Sequence, residues 1–153
     1  AETQAVGEAI GARAQPGDAY LLTGMLGAGK TCLTQGIGRG LGVPGYVRSP
    51  TFVITARHRG RLLLYHLDLY RIGGPSEAWD LGLDEQLFGE GVCVVEWADR
   101  AADLFPPGCC WIFLDYGTGD NCRNLTISAE SPRYAALLQH LAGAFRVTEE
   151  VNP

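Results

Sequence analysis

Residues Gly24-Met25-Leu26-Gly27-Ala28-Gly29-Lys30-Thr31 match the pattern G-x-x-x-x-G-K-[ST] at every fixed position. Each residue type has a chemical task there. Glycines at 24, 27 and 29 let the backbone turn tightly and aim consecutive N–H groups, those of Gly27 and Ala28 through Cys32, at one point. Lys30 adds a mobile positive charge able to reach β- and γ-phosphates. The Thr31 hydroxyl is a hard oxygen suited to Mg²⁺. Lys30 is the chain's only lysine, beside 11 arginines. The expected ligand is a nucleoside triphosphate with its magnesium ion.

A phosphate loop needs a second acidic group for its metal, usually at the C-terminal end of a buried strand. Two acids qualify. Glu96 ends the apolar run Val92-Cys93-Val94-Val95, and Asp68 ends Leu62-Leu63-Leu64-Tyr65-His66-Leu67. One could act on the metal directly, the other through water or by orienting the nucleophile. The bland alternative for either acid alone is a strand-end carboxylate that caps a helix or pairs with arginine. Thr51, in the stiff loop Arg48-Ser49-Pro50-Thr51, suits a switch that folds over the γ-phosphate and senses its loss. Arg71 could neutralise phosphate charge or face a partner. Trp97 stacks near the base or packs in the core. His66 is read as packing within the sheet rather than acting as a base.

Positioning these groups requires a strand, a loop and a helix in succession. Tyr20-Leu21-Leu22-Thr23 is short, apolar and strand-like. After the loop, Leu33, Ile37 and Leu41 recur every four residues, marking one face of a helix whose positive end would meet the phosphates. That helix carries Gly36, Gly38 and Gly40, so packing must hold it, with close approach to the sheet as the expected reason. Gly42 stops it.

The remaining elements alternate. Thr3 to Ala14 predicts a first helix, closed by Pro16-Gly17-Asp18. Phe52–Arg57 and Arg61–Asp68 predict an antiparallel hairpin around Arg59-Gly60. Short helices are expected from Ser76 and over Leu83–Phe88. Val92–Glu96 suits a strand buried on both faces. Ala98–Phe105 predicts a modest helix. Cys110–Tyr116 and Arg123–Ala129 predict a second hairpin, and Ser131-Pro132 opens a last helix. The fold expected is α/β: a three-layer P-loop NTPase-like domain with a mixed parallel and antiparallel sheet, residues 1–153 forming one nucleotide-binding unit.

Composition narrows the function classes. With 153 residues and 46% apolar content, there is enough material for a proper core. A formal net charge of −5 disfavours gripping nucleic acid through a general positive field. Arg57-His58-Arg59-Gly60-Arg61 is the one local basic cluster, either a solvated turn or a dock for RNA or an acidic partner. No apolar run approaches the ~20 residues of a membrane helix. The five cysteines include no C-x-x-C pair, as expected of reduced, mostly buried thiols in a cytoplasmic protein. Cys109 and Cys110 should point to opposite strand faces. Glu2 and Glu8 in a helix-like N-terminal stretch argue against a signal peptide.

The ordered set Gly24–Thr31, Ser49-Pro50-Thr51, His66-Leu67-Asp68-Leu69-Tyr70-Arg71 and Glu96-Trp97 resembles the TsaE (YjeE) family. These are small bacterial ATPases of tRNA threonylcarbamoyladenosine synthesis. The resemblance extends over roughly residues 1 to 116; the first motif is generic to NTPases, whereas H-x-D-L-Y-R followed by E-W is specific. It implies an ATPase that uses ATP and Mg²⁺ and serves the TsaD–TsaB protein pair, reaching tRNA through those partners. It also implies nucleotide and metal roles for Lys30 and Thr31, a switch role for Thr51, and functional roles for Asp68 and Glu96. Met25 stands where an acid is common in the family. Cys32 replaces a usual second threonine, exchanging a hydroxyl near the α-phosphate for a thiol.

Two other readings compete: a small-molecule kinase with the same phosphate loop, and a nucleotide-gated binding module in which hydrolysis is incidental. A GTPase is disfavoured, because the guanine-reading motif N-K-x-D needs a lysine outside the phosphate loop.

Overall fold

Ala19-Tyr20-Leu21-Leu22 presents apolar side chains to both sides, so its lowest-energy place is the centre of a sheet covered on both faces. The computed structural model puts it there, and describes residues 2–24, 29–45, 55–70, 89–117 and 123–145. In chain order the elements are α1 (Glu2–Arg13), β1 (Ala19–Gly24), α2 (Lys30–Gly40), β2 (Thr55–Arg59), β3 (Leu63–Asp68) and β4 (Val92–Glu96). A 3₁₀ segment (Ala98–Leu104), β5 (Cys110–Tyr116), β6 (Arg123–Ala129), a 3₁₀ turn (Pro132–Tyr134) and α3 (Ala135–Ala144) follow. The described strands form one six-stranded sheet in the order β2-β3-β4-β1-β5-β6. Its four inner strands run parallel, and β2 and β6 pair antiparallel at the edges. The α/β fold with a mixed sheet is therefore as the sequence predicts.

Two cores lie on opposite faces. On one, Ile10, Leu33, Ile37, Leu41, Leu137 and Leu141 of the three α-helices pack over Tyr20, Leu22, Leu64, Val94 and Ile112. On the other, Ala98, Ala101 and Phe105 cover Ala19, Leu21, Leu67, Cys93 and Val95. Cys110 belongs to the first core and Cys109 to the second, the opposite facing expected of adjacent strand residues. Cys32, Cys93, Cys109 and Cys110 are free thiols. Burial pushes the Cys109 thiol up to about 11, which suppresses its reactivity.

Three details differ from the sequence reading. The hairpin turn falls at residues 60–62, because Arg61 leaves the strand to donate to the carbonyls of Gly11 at 3.0 Å and Ala14 at 2.8 Å. It thereby satisfies orphan acceptors at the C-terminal end of α1. Arg57 and Arg59 of the basic cluster stay exposed. Ala98–Leu104 is 3₁₀ rather than α, broken at Ala101, whose φ of −137° is not helical. Gly36 and Gly40 of α2 approach a helix, not the sheet. A Cβ on Gly36 would stand 2.4 Å from the Gln4 carbonyl oxygen, and one on Gly40 would stand 2.2 Å from that of Glu8. Gly7 and Gly11 of α1 reciprocate, a Cβ on Gly11 lying 2.2 Å from the Ile37 carbonyl. Two rows of glycine at four-residue spacing thus let α1 and α2 pack backbone to backbone.

A clean pair of substitutions tests this packing. In α3, Gly143 has nothing within 4 Å of its Cβ position, so Gly143→Ala should stabilise by up to ~1 kcal/mol. Gly11→Ala gains the same helix propensity but must push two helices apart, and should lose ~1–3 kcal/mol by overpacking. Denaturant melts read both, and a stabilised Gly11→Ala would refute the close packing.

Candidate functional site

Parallel pairing brings three strand ends to one edge. Asp68 of β3 lies opposite Glu96 of β4, and Glu96 opposite Leu22 of β1, two residues before Gly24. Ligands of open α/β sheets bind at such carboxyl ends, where the strand order reverses about the central strand. Here the chain moves out from β1 on both sides, to β4 and to β5.

At that edge Gly24 has φ +142°, and a Cβ there would sit 2.2 Å from the Leu114 carbonyl oxygen. Only glycine fits. Gly29, at φ +105°, precedes α2 with no side chain capping the helix, so first-turn N–H groups face the loop. Gly27, Ala28 and Thr51 lie outside the described residues, as do Arg71 and the segments predicted helical after Ser76.

Lys30 and Thr31 open α2 and meet the acids. The Lys30 ammonium is buried, donates to the Gly24 carbonyl at 2.6 Å and lies 4.0 Å from the centre of the Trp97 ring. Burial lowers its pKa, opposed by the charges of Glu96, Asp99 and Asp68. Thr31 Oγ1 donates to Glu96 Oε1 at 2.9 Å, and Glu96 is only 2% exposed. Asp68 Oδ1 accepts from the Tyr70 amide at 3.0 Å. Burial raises the Asp68 pKa, the Tyr70 amide opposing it and the Glu96 charge adding to it. Cys32 follows on the same helix, half-buried. The predicted pair of acids and the predicted hydroxyl are thus assembled at one place, and Lys30 stands beside them.

Two features escaped the sequence reading. His66 does pack within the sheet, but its Nε2 also bonds Glu96 Oε2. The available signal was a polar side chain inside an otherwise apolar strand, which when buried must find a partner. Trp97 has φ +58°, the one non-glycine residue in the left-handed region among the described residues. Such backbone strain gathers at functional sites. Trp97 packs against Tyr70 with ring centres 4.8 Å apart and planes tilted by 49°, and Arg100 lies over both rings. Trp97 therefore faces the lysine, which places it at the site and not solely in the core.

A hydroxyl and two carboxylates at adjoining strand ends make a hard-oxygen set of the kind magnesium takes. Comparisons with known proteins give the family. A family model described as "Threonylcarbamoyl adenosine biosynthesis protein TsaE" matches residues 1–125. The chain belongs to the TsaE family. The TsaE protein of Bacillus subtilis is 44% identical over 142 residues, covering 92% of this chain and 88% of that protein. The TsaE protein of Treponema pallidum is 38% identical over 127 residues, covering 83% and 93% respectively. Both carry the name tRNA threonylcarbamoyladenosine biosynthesis protein. The crystal structure of Bacillus subtilis YdiB superposes with a TM-score of 0.77 at 39% identity, over 94% of this chain and 88% of that one. The TsaE match runs past Tyr116 to residue 125, so it takes in the start of β6 as well. No helix among the described residues is long and apolar enough to cross a membrane.

Proposed function

We propose that this TsaE-family chain is a single nucleotide-binding unit that binds and hydrolyses ATP with Mg²⁺ in tRNA threonylcarbamoyladenosine modification, serving a TsaD–TsaB protein pair. The observation that supports it most directly is the Thr31–Glu96 hydrogen bond beside the buried Lys30 ammonium. In this arrangement the α2 amides and Lys30 hold the phosphates. Thr31, Glu96 and Asp68 are the residues that would hold the metal. When bound, Mg²⁺ supplies positive charge that steadies the phosphate oxygens. Glu96 and Asp68 fix the approach of water to the phosphate end. Lys30 exchanges the Gly24 carbonyl for phosphate oxygens. The Trp97 ring sits across that ammonium and narrows where it can move. The Thr51 loop acts as the switch that tells the partners whether ATP is present.

Lys30→Ala should cost about tenfold to a hundredfold in ATP affinity, since a hydrogen bond to a charged group contributes ~1.5–3 kcal/mol. Titration calorimetry measures it, and parent-like affinity would exclude Lys30 from the phosphates. The reaction class is decided by incubating the protein with ATP and Mg²⁺, with and without the partner pair, and identifying the products. ADP and free phosphate are expected. A phosphorylated metabolite in place of free phosphate would make the protein a kinase.

A further inference from the structure

Glu96 is held from two sides by different elements. Thr31 of α2 donates to Oε1, and His66 of β3 meets Oε2. A carboxylate fixed through one oxygen can still turn about its last torsion; one fixed through both cannot. We propose that His66 is a positioning residue for Glu96, its Nε2–H locking the carboxylate so that the remaining oxygen stays aligned on Thr31 and the phosphate end. This rests on the role given to Glu96 above.

His66 is fully buried, as is Val94 opposite it, and both lie on the sheet face that α2 covers. Its Nδ1 has no hydrogen-bond partner among the described residues. A bare acceptor nitrogen there costs less than a buried N–H with nothing to donate to. The ring proton therefore sits on Nε2, the nitrogen that meets Glu96. The Leu69 amide, donating to the Glu96 carbonyl at 3.0 Å, ties the same two strands together one step further on. Nothing else on β3 reaches the carboxylate in this way: Leu67 points to the other core, and the described hydrogen bond of Asp68 comes from the Tyr70 amide.

Isosteres separate the geometry from mere packing. Glutamine can place its amide nitrogen near the Nε2 position, whereas asparagine reaches only the Nδ1 position. His66→Asn should lower ATPase kcat about tenfold to a hundredfold, the usual cost of losing such an orienting partner, with ATP affinity by calorimetry little changed. His66→Gln should recover most of that loss. In a Glu96→Gln background, His66→Asn should add no further loss, because the two act as a unit. Nitrogen-15 NMR of the parent should show the His66 proton on Nε2, with a resonance that moves in Glu96→Gln. If His66→Asn does not fold, the glutamine variant and the NMR signal decide. Parent-like turnover in His66→Asn, losses that multiply in the double variant, or a proton on Nδ1 would each overturn the proposal while leaving Glu96 its role. Parent-like turnover in Glu96→Gln would overturn both.

Discussion

Glu96→Gln will lower Mg²⁺-dependent ATP turnover by about a hundredfold or more, and leave ATP affinity within a few-fold of the parent. The expectation follows from what the change keeps and what it removes. Glutamine preserves the length of the side chain, and its carbonyl can still accept from Thr31 at the 2.9 Å now spanned. The negative charge goes, and with it the group proposed to orient the attacking water. The contacts proposed for Lys30 with phosphate do not depend on that charge, so binding should survive. Asp68→Asn should act in the same direction, because Asp68 lies directly opposite Glu96 in the β3–β4 register. Its effect should be smaller. Asp68 is less buried than Glu96, and its described hydrogen bond comes from the Tyr70 amide rather than from the Thr31 hydroxyl. Turnover with saturating ATP and Mg²⁺ measures both variants. If Glu96→Gln runs at the parent rate, its contact with Thr31 is structural and the assignment of the acid fails.

The parts of this site visible in the sequence are those that depend on local order. A phosphate loop between an apolar run and a helix-period pattern is defined by neighbours in the chain, and Gly24, Gly29, Lys30 and Thr31 stand as that pattern requires. Asp68 and Glu96 could be named because each ends an apolar run, and parallel strands ending together bring such residues side by side. What depends on register or on a second element could not be named. His66 becomes a partner of Glu96 only when β3 and β4 align as they do, which neither strand specifies alone. The α2 sequence by itself points Gly36 and Gly40 toward the sheet, whereas they face α1. Their purpose needs Gly7 and Gly11 of α1 at matching spacing. Trp97 gave no sign of its positive φ, since composition predicts that conformation for glycine or asparagine. The hairpin turn moved because Arg61 serves α1, a distant demand that overrode the local Arg59-Gly60 signal.

Alone, the protein should hydrolyse ATP slowly, and the TsaD–TsaB pair should raise the rate by a factor on the order of 10³ or more. Phosphoryl transfer is accelerated chiefly by charge placed against the transition state, and an arginine supplied or positioned by a partner contributes ~10³–10⁵ in related phosphate-loop enzymes. Three described cations stand near the carboxyl ends of the parallel strands: Lys30, Arg100, and Arg123, which lies over the Tyr116 ring at the end of β5. Lys30 belongs to the phosphate loop, and the Arg100 guanidinium lies 5.6 Å from the Tyr70 ring centre and 5.9 Å from that of Trp97. The expectation is that a further cation is supplied or positioned by the partner pair, or by Arg71. A domain of net charge −5 is also poorly suited to gripping tRNA unaided, which makes the partner pair the natural place for both the RNA and the missing cation. Thr51→Ala should then blunt the stimulation while sparing ATP binding, because a switch loop reports the γ-phosphate without supplying the main contacts to it. Steady-state turnover with and without the pair, for parent and variant, reads this directly. Fast hydrolysis by the isolated protein, unmoved by the pair or by Thr51→Ala, would leave the nucleotide site standing and refute the switch.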